Sequence, residues 1–362
     1  MGSAIPQERL AEILRNAQGR TDVRVAAAAL HIGSRTSFAG ASERPFRIAS
    51  ITKSFTATAI SLAGLLDDRR RALLSHTASY RPERAEPLPP ECTGLWSYSN
   101  AGYREAAAGF DGEYSDALRE LVLQPLGLRH TGFETPENAV LGTLPGDVVA
   151  DPSYPVERRP AGGLWSTVGD LVEYGLAHCG QWEHLHEPVA AALGAQYALG
   201  WWVRDGFLDH EGSVGGFQSL LLLVPEHNAV LSVLTNSWRG SSLIRHVVED
   251  LGLAPPPPQP PVEVEPIDGS YALDALEAVV EGASITEAEP DPVTGARVER
   301  RYPLRPAATL MTWRSDFPRL GVARIGWVAL PRVEGRGCAS AGPGGSSGAL
   351  DVRADRGDEL LE

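Results

Sequence analysis

Lysine is almost missing from this chain. Lys53 is the single one, and every other basic side chain among its 32 lysines and arginines is arginine. A compositional bias accounts for the arginines but not for the exception. Arginine keeps its proton in proteins, whereas lysine gives its proton up once its surroundings lower its pKa. A site that needs a transferable proton resists replacement of lysine by arginine, and that singles out residue 53.

Cysteine is sparse as well. Cys92, Cys179 and Cys338 are odd in number and widely spaced, which excludes a disulfide framework and a CxxC metal site. No run reaches the roughly 18 apolar residues of a membrane span, and the longest, such as LLLLV at 220–224, have strand length. Residues 1–30 are interrupted early by charge and hold no apolar signal-peptide core. These features predict a cytoplasmic protein with no membrane association. Basic charge is also in short supply, with 46 acidic residues against 32 basic and a net charge of −14. Such a field repels phosphate backbones and sets nucleic acid aside as a partner.

What is present suits a folded protein. Of 362 residues, 43% are hydrophobic and 22% charged, enough for one large domain and a smaller one. Helical period runs through 5–17, and 23–40 predicts two strands around a turn at Gly33-Ser34. An apolar helix is expected over 50–66, with Ser50 at its start as N-cap. Residues 67–195 are mixed and mostly helical, with a Gly turn and a helix at 160–178. Strand patterns return at 197–204, 208–212, 217–225 and 229–237, and a helix is expected over 241–252. Strands grouped at both ends, with helices between, predict an α+β fold with an antiparallel sheet. The expected divisions are a main domain over 1–253, a proline-rich linker over 254–262, a small β-rich domain over 263–330 and a disordered tail over 331–362.

Three short elements carry chemistry. Ser50-Ile51-Thr52-Lys53 places a serine and a lysine three residues apart, on one face of a helix, so the amine reaches the hydroxyl. Helix N-terminal N–H groups add positive potential there. Tyr98-Ser99-Asn100 offers a phenol to accept and return a proton, with a nearby ammonium favouring its phenolate, and an amide to orient the lysine or a substrate. His210-Glu211-Gly212-Ser213 ends a strand. Gly212 admits a substrate backbone, and the N–H groups of Ser213 and Ser50 form a candidate oxyanion hole. Each element alone reads equally well as a helix cap, a packed tyrosine or a strand histidine.

The order S50xxK53, Y98xN100, H210xG212 resembles the serine β-lactamase and class C penicillin-binding-protein group, including its esterases. So do FRIASITKSFTATAI, LLSHT, LWSYSNAGY, LVLQPLGLRHTGF, RPAGGLWSTVGDL and GSVGGFQSLLLLVPE; together they cover roughly residues 20–252. The resemblance implies a β-lactamase/transpeptidase-like fold and no cofactor or metal. It implies Ser50 as nucleophile, Lys53 as its activating partner, Tyr98 as base and then acid, and Asn100 as a positioning group. His210 takes the third-motif place, with Gly212 and Ser213 binding substrate. The expected activity is hydrolysis of an ester or amide, of esterase or D-amino-acid peptidase type, through a Ser50 acyl-enzyme, with a small-molecule or peptide acyl substrate as partner. The alternatives are an acyltransferase or peptide cyclase using the same residues, and a ligand-binding homologue without turnover.

Two departures matter. HxG stands where KTG is typical of β-lactamases, and neutral histidine supplies no fixed charge for a β-lactam carboxylate. The passage after Leu66 is also short, which bears on the wall of the substrate cleft. Other patterns have simpler readings. Gly344–Gly348 matches GxSxG without a strand before it or a helix after it. His184 and His186 lack further metal ligands nearby, and Asp67–Arg71 reads as a solvated charge run.

Overall fold

The computed structural model describes residues 5–88, 96–110, 113–144, 147–149, 153–192 and 195–255, and beyond them the backbone of six strands between 269 and 338. Helix α1 (Gln7–Thr21) buries Leu10, Ile13, Leu14 and Ala17, a spacing that keeps them on one face. Strands β1 (Ala26–Ile32) and β2 (Arg35–Gly40) pair as a hairpin, and Gly33 takes φ 65° in its turn. Strand β3 (Phe46–Arg47) leads through one tight turn, Ala49–Ile51, into helix α2 (Thr52–Leu62). Helices α3 (Asp68–Leu74), α4 (Asn100–Ala107) and α5 (Tyr114–Leu118) follow. A small hairpin, β4 (Thr143–Leu144) with β5 (Asp147–Val148), comes next. Then β6 (Trp165–Ser166), paired with β3, precedes helix α6 (Val168–Gly180).

The remaining strands of the main sheet run in succession. They are β7 (Ala190–Ala192), β8 (Ala195–Tyr197), β9 (Trp202–Arg204), β10 (Phe207–Val214), β11 (Phe217–Val224) and β12 (Ala229–Thr235), with helix α7 (Gly240–Asp250) after them. The sheet has the order β2-β1-β12-β11-β10-β9-β8-β7 and is antiparallel throughout. Strand β1 therefore lies beside β12, and the sheet closes only when residues some 200 positions apart have met.

The two-residue period of the strands sorts the core into two layers. Ala26, Ala28, Leu30, Leu220, Leu222, Leu231 and Val233 pack with the apolar faces of α1 and α7. Their neighbours Ala27, Ala29, Leu221, Leu223, Val230 and Leu234 point the other way, toward α2 and α6. Strands covered on both faces explain why 217–235 reads as nearly continuous apolar sequence.

This is the expected α+β arrangement, with one local difference. Ser50 is not the cap of α2. The helix starts at Thr52 without a side-chain cap, because a tight turn occupies Ala49–Ile51. The serine hydroxyl is thereby left for other partners.

A second antiparallel sheet comprises β13 (Gly269–Leu273), β14 (Leu276–Glu281), β15 (Ser284–Pro290), β16 (Arg297–Pro303), β17 (Pro331–Arg332) and β18 (Gly337–Cys338). The last two fall where a disordered tail was expected, and β17 pairs with β13 at Arg332 and Tyr271. The MTWRSD stretch (311–316), most of the linker and most of 331–362 lie outside the described residues. Among the described residues no helix is long and apolar enough to cross a membrane.

Leu221 is fully buried in the layer beneath α6. Leu221→Ala is expected to lower stability by about 2–5 kcal/mol in urea denaturation, because the cavity cannot collapse against a sheet packed on both faces.

Candidate active site

Ser50 is half-buried in the turn between β3 and α2. That turn is pinned from two sides. The Ile48 N–H donates to Leu164 O at 3.0 Å, and Ser219 Oγ on β11 donates to Ile48 O at 2.8 Å. Ala49, just before the serine, has φ 47°. A left-handed conformation costs an L residue about 1–2 kcal/mol and persists only where surrounding structure enforces it. Gly212 of β10 supplies part of that enclosure. A Cβ at 212 would stand 2.2 Å from Ile48 O, 2.4 Å from Ser219 Oγ and 3.0 Å from Ala49 Cβ. The glycine of the third motif is thus a packing requirement of the serine turn.

Lys53 lies one helical turn along α2 and is fully buried. Its Nζ donates to Ser50 Oγ at 3.1 Å, to Asn100 Oδ1 at 2.7 Å and to Ala161 O at 2.7 Å. All three protons of an ammonium are matched, yet burial outweighs them and pulls the lysine down to about 7. Glu83 opposes this and Arg158 adds to it. Near neutral pH the amine is therefore close to half deprotonated and able to take a proton from Ser50.

The Tyr98 phenol shares a hydrogen bond with Ser50, and its ring lies 4.7 Å from Lys53 Nζ. Its titration departs from the sequence expectation. Burial pushes the phenol up, and its bond with Ser50 only partly offsets that. At rest the proton sits on Tyr98, and Lys53 is the better base.

His210 is buried on β10. Its Nδ1 faces Glu211 O at 2.7 Å and so carries the proton, leaving Nε2 to accept from Tyr197 OH at 3.3 Å. Burial, reinforced by Lys53, lowers the ring to about 3. It stays neutral and supplies no fixed positive charge. Ser213 is exposed next to Gly212, its hydroxyl accepting from Gln218 Nε2 at 2.8 Å. Strand β9 pairs only with Phe207, Leu208 and Asp209, so among the described residues the rest of β10 has no strand on that side.

Ser50, Lys53, Tyr98 and Asn100 are thus joined by direct contacts, Gly212 abuts the serine turn, and His210 stands within electrostatic reach of the lysine. Several neighbours carried no sequence signal. Glu83 Oε1 accepts from Asn100 Nδ2 at 2.7 Å, and Arg158 donates to Glu83 Oε2. His76 accepts from the Ser99 N–H at 3.0 Å through Nδ1, and its ring lies 4.3 Å from that of Tyr98. Ala161 contributes only a carbonyl. His76 lies in the SHT stretch that shares the family likeness, but nothing local marks Glu83 in its loop. Among the described residues no three His, Cys, Asp or Glu side chains gather to hold a metal ion. His184 bonds Ser61 Oγ at 2.7 Å, and His186 bonds His178 at 2.8 Å.

With this geometry in view, the comparisons are specific. The sequence model of the family described as Beta-lactamase matches residues 69–249, half of the chain. That stretch includes Tyr98, Asn100, His210, Gly212 and Ser213, while Ser50 and Lys53 precede it. Penicillin-binding protein 4 of Amycolatopsis lactamdurans is 28% identical over 238 residues, which cover 51% of this chain and 61% of that protein. In fold the chain is similar to the crystal structure of SurE, with a TM-score of 0.64, 20% identity, and coverage of 82% of this chain and 88% of that one. SurE with D-Leu gives a TM-score of 0.63 at the same identity and coverage, 20%, 82% and 88%. A β-lactamase from Sulfitobacter sp. EE-36 gives 0.60 at 17% identity, covering 68% of this chain and 99% of that one. The chain belongs to the β-lactamase family, the serine β-lactamase and penicillin-binding-protein-like group.

The single lysine makes its titration directly measurable. Protein labelled with 13C-lysine is expected to show one Cε resonance, moving with a midpoint near 7. Between that midpoint and the ordinary lysine value of 10.5 the unfolded chain holds a proton that the folded chain has lost, so this group makes stability rise with pH across that window. A midpoint near 10 would show an accessible, fully charged amine instead.

Proposed function

We propose that this protein is a serine hydrolase that cleaves ester or amide bonds of small-molecule or peptide substrates through an acyl-enzyme on Ser50. The observation that carries the reading is a fully buried lysine, drawn down to about 7, with Nζ 3.1 Å from the serine hydroxyl. A neutral amine at that distance accepts the Ser50 proton as Oγ bonds to the acyl carbon. The resulting oxyanion is assigned to the N–H groups of Ser50 and Ser213. As the carbonyl re-forms, the bond to the leaving group breaks. That group takes the Tyr98 proton, and the Lys53 ammonium replaces it. Water or an amine then attacks the ester and gives a proton to Tyr98 and Lys53; the bond between Oγ and the acyl carbon breaks, and Ser50 takes a proton back from Lys53.

The unpaired length of β10 beyond Asp209 offers an edge for an extended peptide backbone. A neutral His210 argues for substrates other than β-lactams. D-Amino-acid peptides are the favoured class, in keeping with the fold likeness to SurE, which has a structure with D-Leu. Transfer to an amine, including ring closure of a peptide, uses the same residues and differs only in the acceptor.

Intact-protein mass after brief incubation with a p-nitrophenyl ester, a penicillin and a D-Ala-D-Ala peptide thioester tests this. Wild type is expected to gain an acyl mass from the ester or thioester, with penicillin least effective, and Ser50→Ala to gain none. An adduct retained by Ser50→Ala would move the nucleophile elsewhere. No adduct on a cooperatively melting wild type would favour ligand binding without turnover.

A further inference from the structure

The loop after α3 places a carboxylate behind the lysine. Its backbone is fixed by the start of α4, whose first N–H groups have no partners within the helix. Pro82 O accepts from the N–H groups of Asn100 and Ala101 at 2.8 and 3.0 Å. Arg81 O accepts from Ser99 Oγ at 2.6 Å, and Glu83 O accepts from the Arg104 guanidinium. The Glu83 side chain, 24% exposed, is aimed at Asn100 and Arg158.

A carboxylate only accepts hydrogen bonds. By accepting from Asn100 Nδ2, Glu83 forces the other end of that amide, Oδ1, toward Lys53 Nζ. The reverse orientation would set two donors against each other at the lysine and two acceptors at Glu83. We propose that Glu83 is a positioning residue that fixes the Asn100 amide and, through it, the place and charge of Lys53. The inference rests on Ser50 and Lys53 being the reacting pair. Glutamine at 83 lacks this selectivity, since its amide satisfies either orientation of Asn100, and it lacks the negative charge.

Other groups also face the lysine. Arg158 approaches from the 156–161 turn, His76 from the loop after α3, His210 from β10, and the phenols of Tyr98 and Tyr103 from the segment around α4. Both histidines are held neutral by burial, so among the described residues Glu83 and Arg158 are the charges that act on Lys53. They act in opposite directions.

The test follows Lys53 Cε in 13C-lysine-labelled wild type, Glu83→Gln, Glu83→Asp and Arg158→Gln across pH, beside the rate of covalent labelling by a fluorophosphonate probe. In Glu83→Gln the Lys53 midpoint is expected to fall by on the order of one pH unit. The acidic limb of labelling should fall with it, and the plateau should drop on the order of tenfold. Glu83→Asp, which keeps the charge, should stay nearer wild type, and Arg158→Gln should move the midpoint up. A purely structural role would lower the plateau and leave the midpoint in place. A folded Glu83→Gln with an unmoved midpoint overturns the inference. Should that variant lack a cooperative melt, Arg158→Gln decides, an upward midpoint supporting the inference and an unmoved one overturning it. Midpoints that move as expected in a protein that the probe never labels would sustain the role of Glu83 and defeat the acyl-enzyme reading.

Discussion

Burying one amine organises this site. A lysine removed from water loses solvation that no single hydrogen bond restores, so its enclosure demands several acceptors at once. Here they come from three separate places: the serine turn, the start of α4 and the carbonyl of Ala161. Each acceptor is held by its own support. The segment after Ala161 also tethers the strand before Ser50, through Leu164 O and the pairing of β6 with β3. The need to satisfy Lys53 and the need to hold Ser50 are therefore met by the same backbone.

A second constraint is the closeness of β10 to the serine turn. Strained Ala49 and bare Gly212 face each other, and Ser219 clamps the carbonyl between them. Such an arrangement sets the direction of the serine hydroxyl with little freedom left, which favours attack from a fixed position. It also ties the chemistry to the main sheet, because β10 pairs along its length with β11, which is buried between two helical layers. A change in that sheet reaches the nucleophile through the packing of Gly212 and the Ser219 hydrogen bond.

Much of this was legible beforehand. The hairpin at Gly33-Ser34, strands β9 to β12 and helices α1, α6 and α7 follow from apolar period and turn residues, which are local signals, whereas β7 and the start of β8 fall in a stretch expected to be mostly helical. Ser50, Lys53, Tyr98 and Asn100 were marked by motif and by the solitary lysine. Other features resisted reading for identifiable reasons. The α2 start was placed at Ser50 because serine caps helices in general, but the turn there is set by contacts from β10 and β11. The phenolate expected at Tyr98 gave way because its desolvation depends on neighbours from distant segments, Tyr154 and Glu83 among the charges that act on it. Glu83 sits in a loop whose residues show no periodicity, and only its neighbours give it a role.

By itself the sequence determined which groups exist, their order along the chain, and the local elements that carry them, since helix period, strand alternation and SxxK spacing act over a few residues. Tertiary structure alone decided the proton state of Lys53, the orientation of Asn100 and the strain at Ala49. Two of the three partners of Lys53 lie 47 and 108 residues away along the chain. Desolvation and electrostatic potential depend on distance in space, so those properties came into being only when the separated segments packed together.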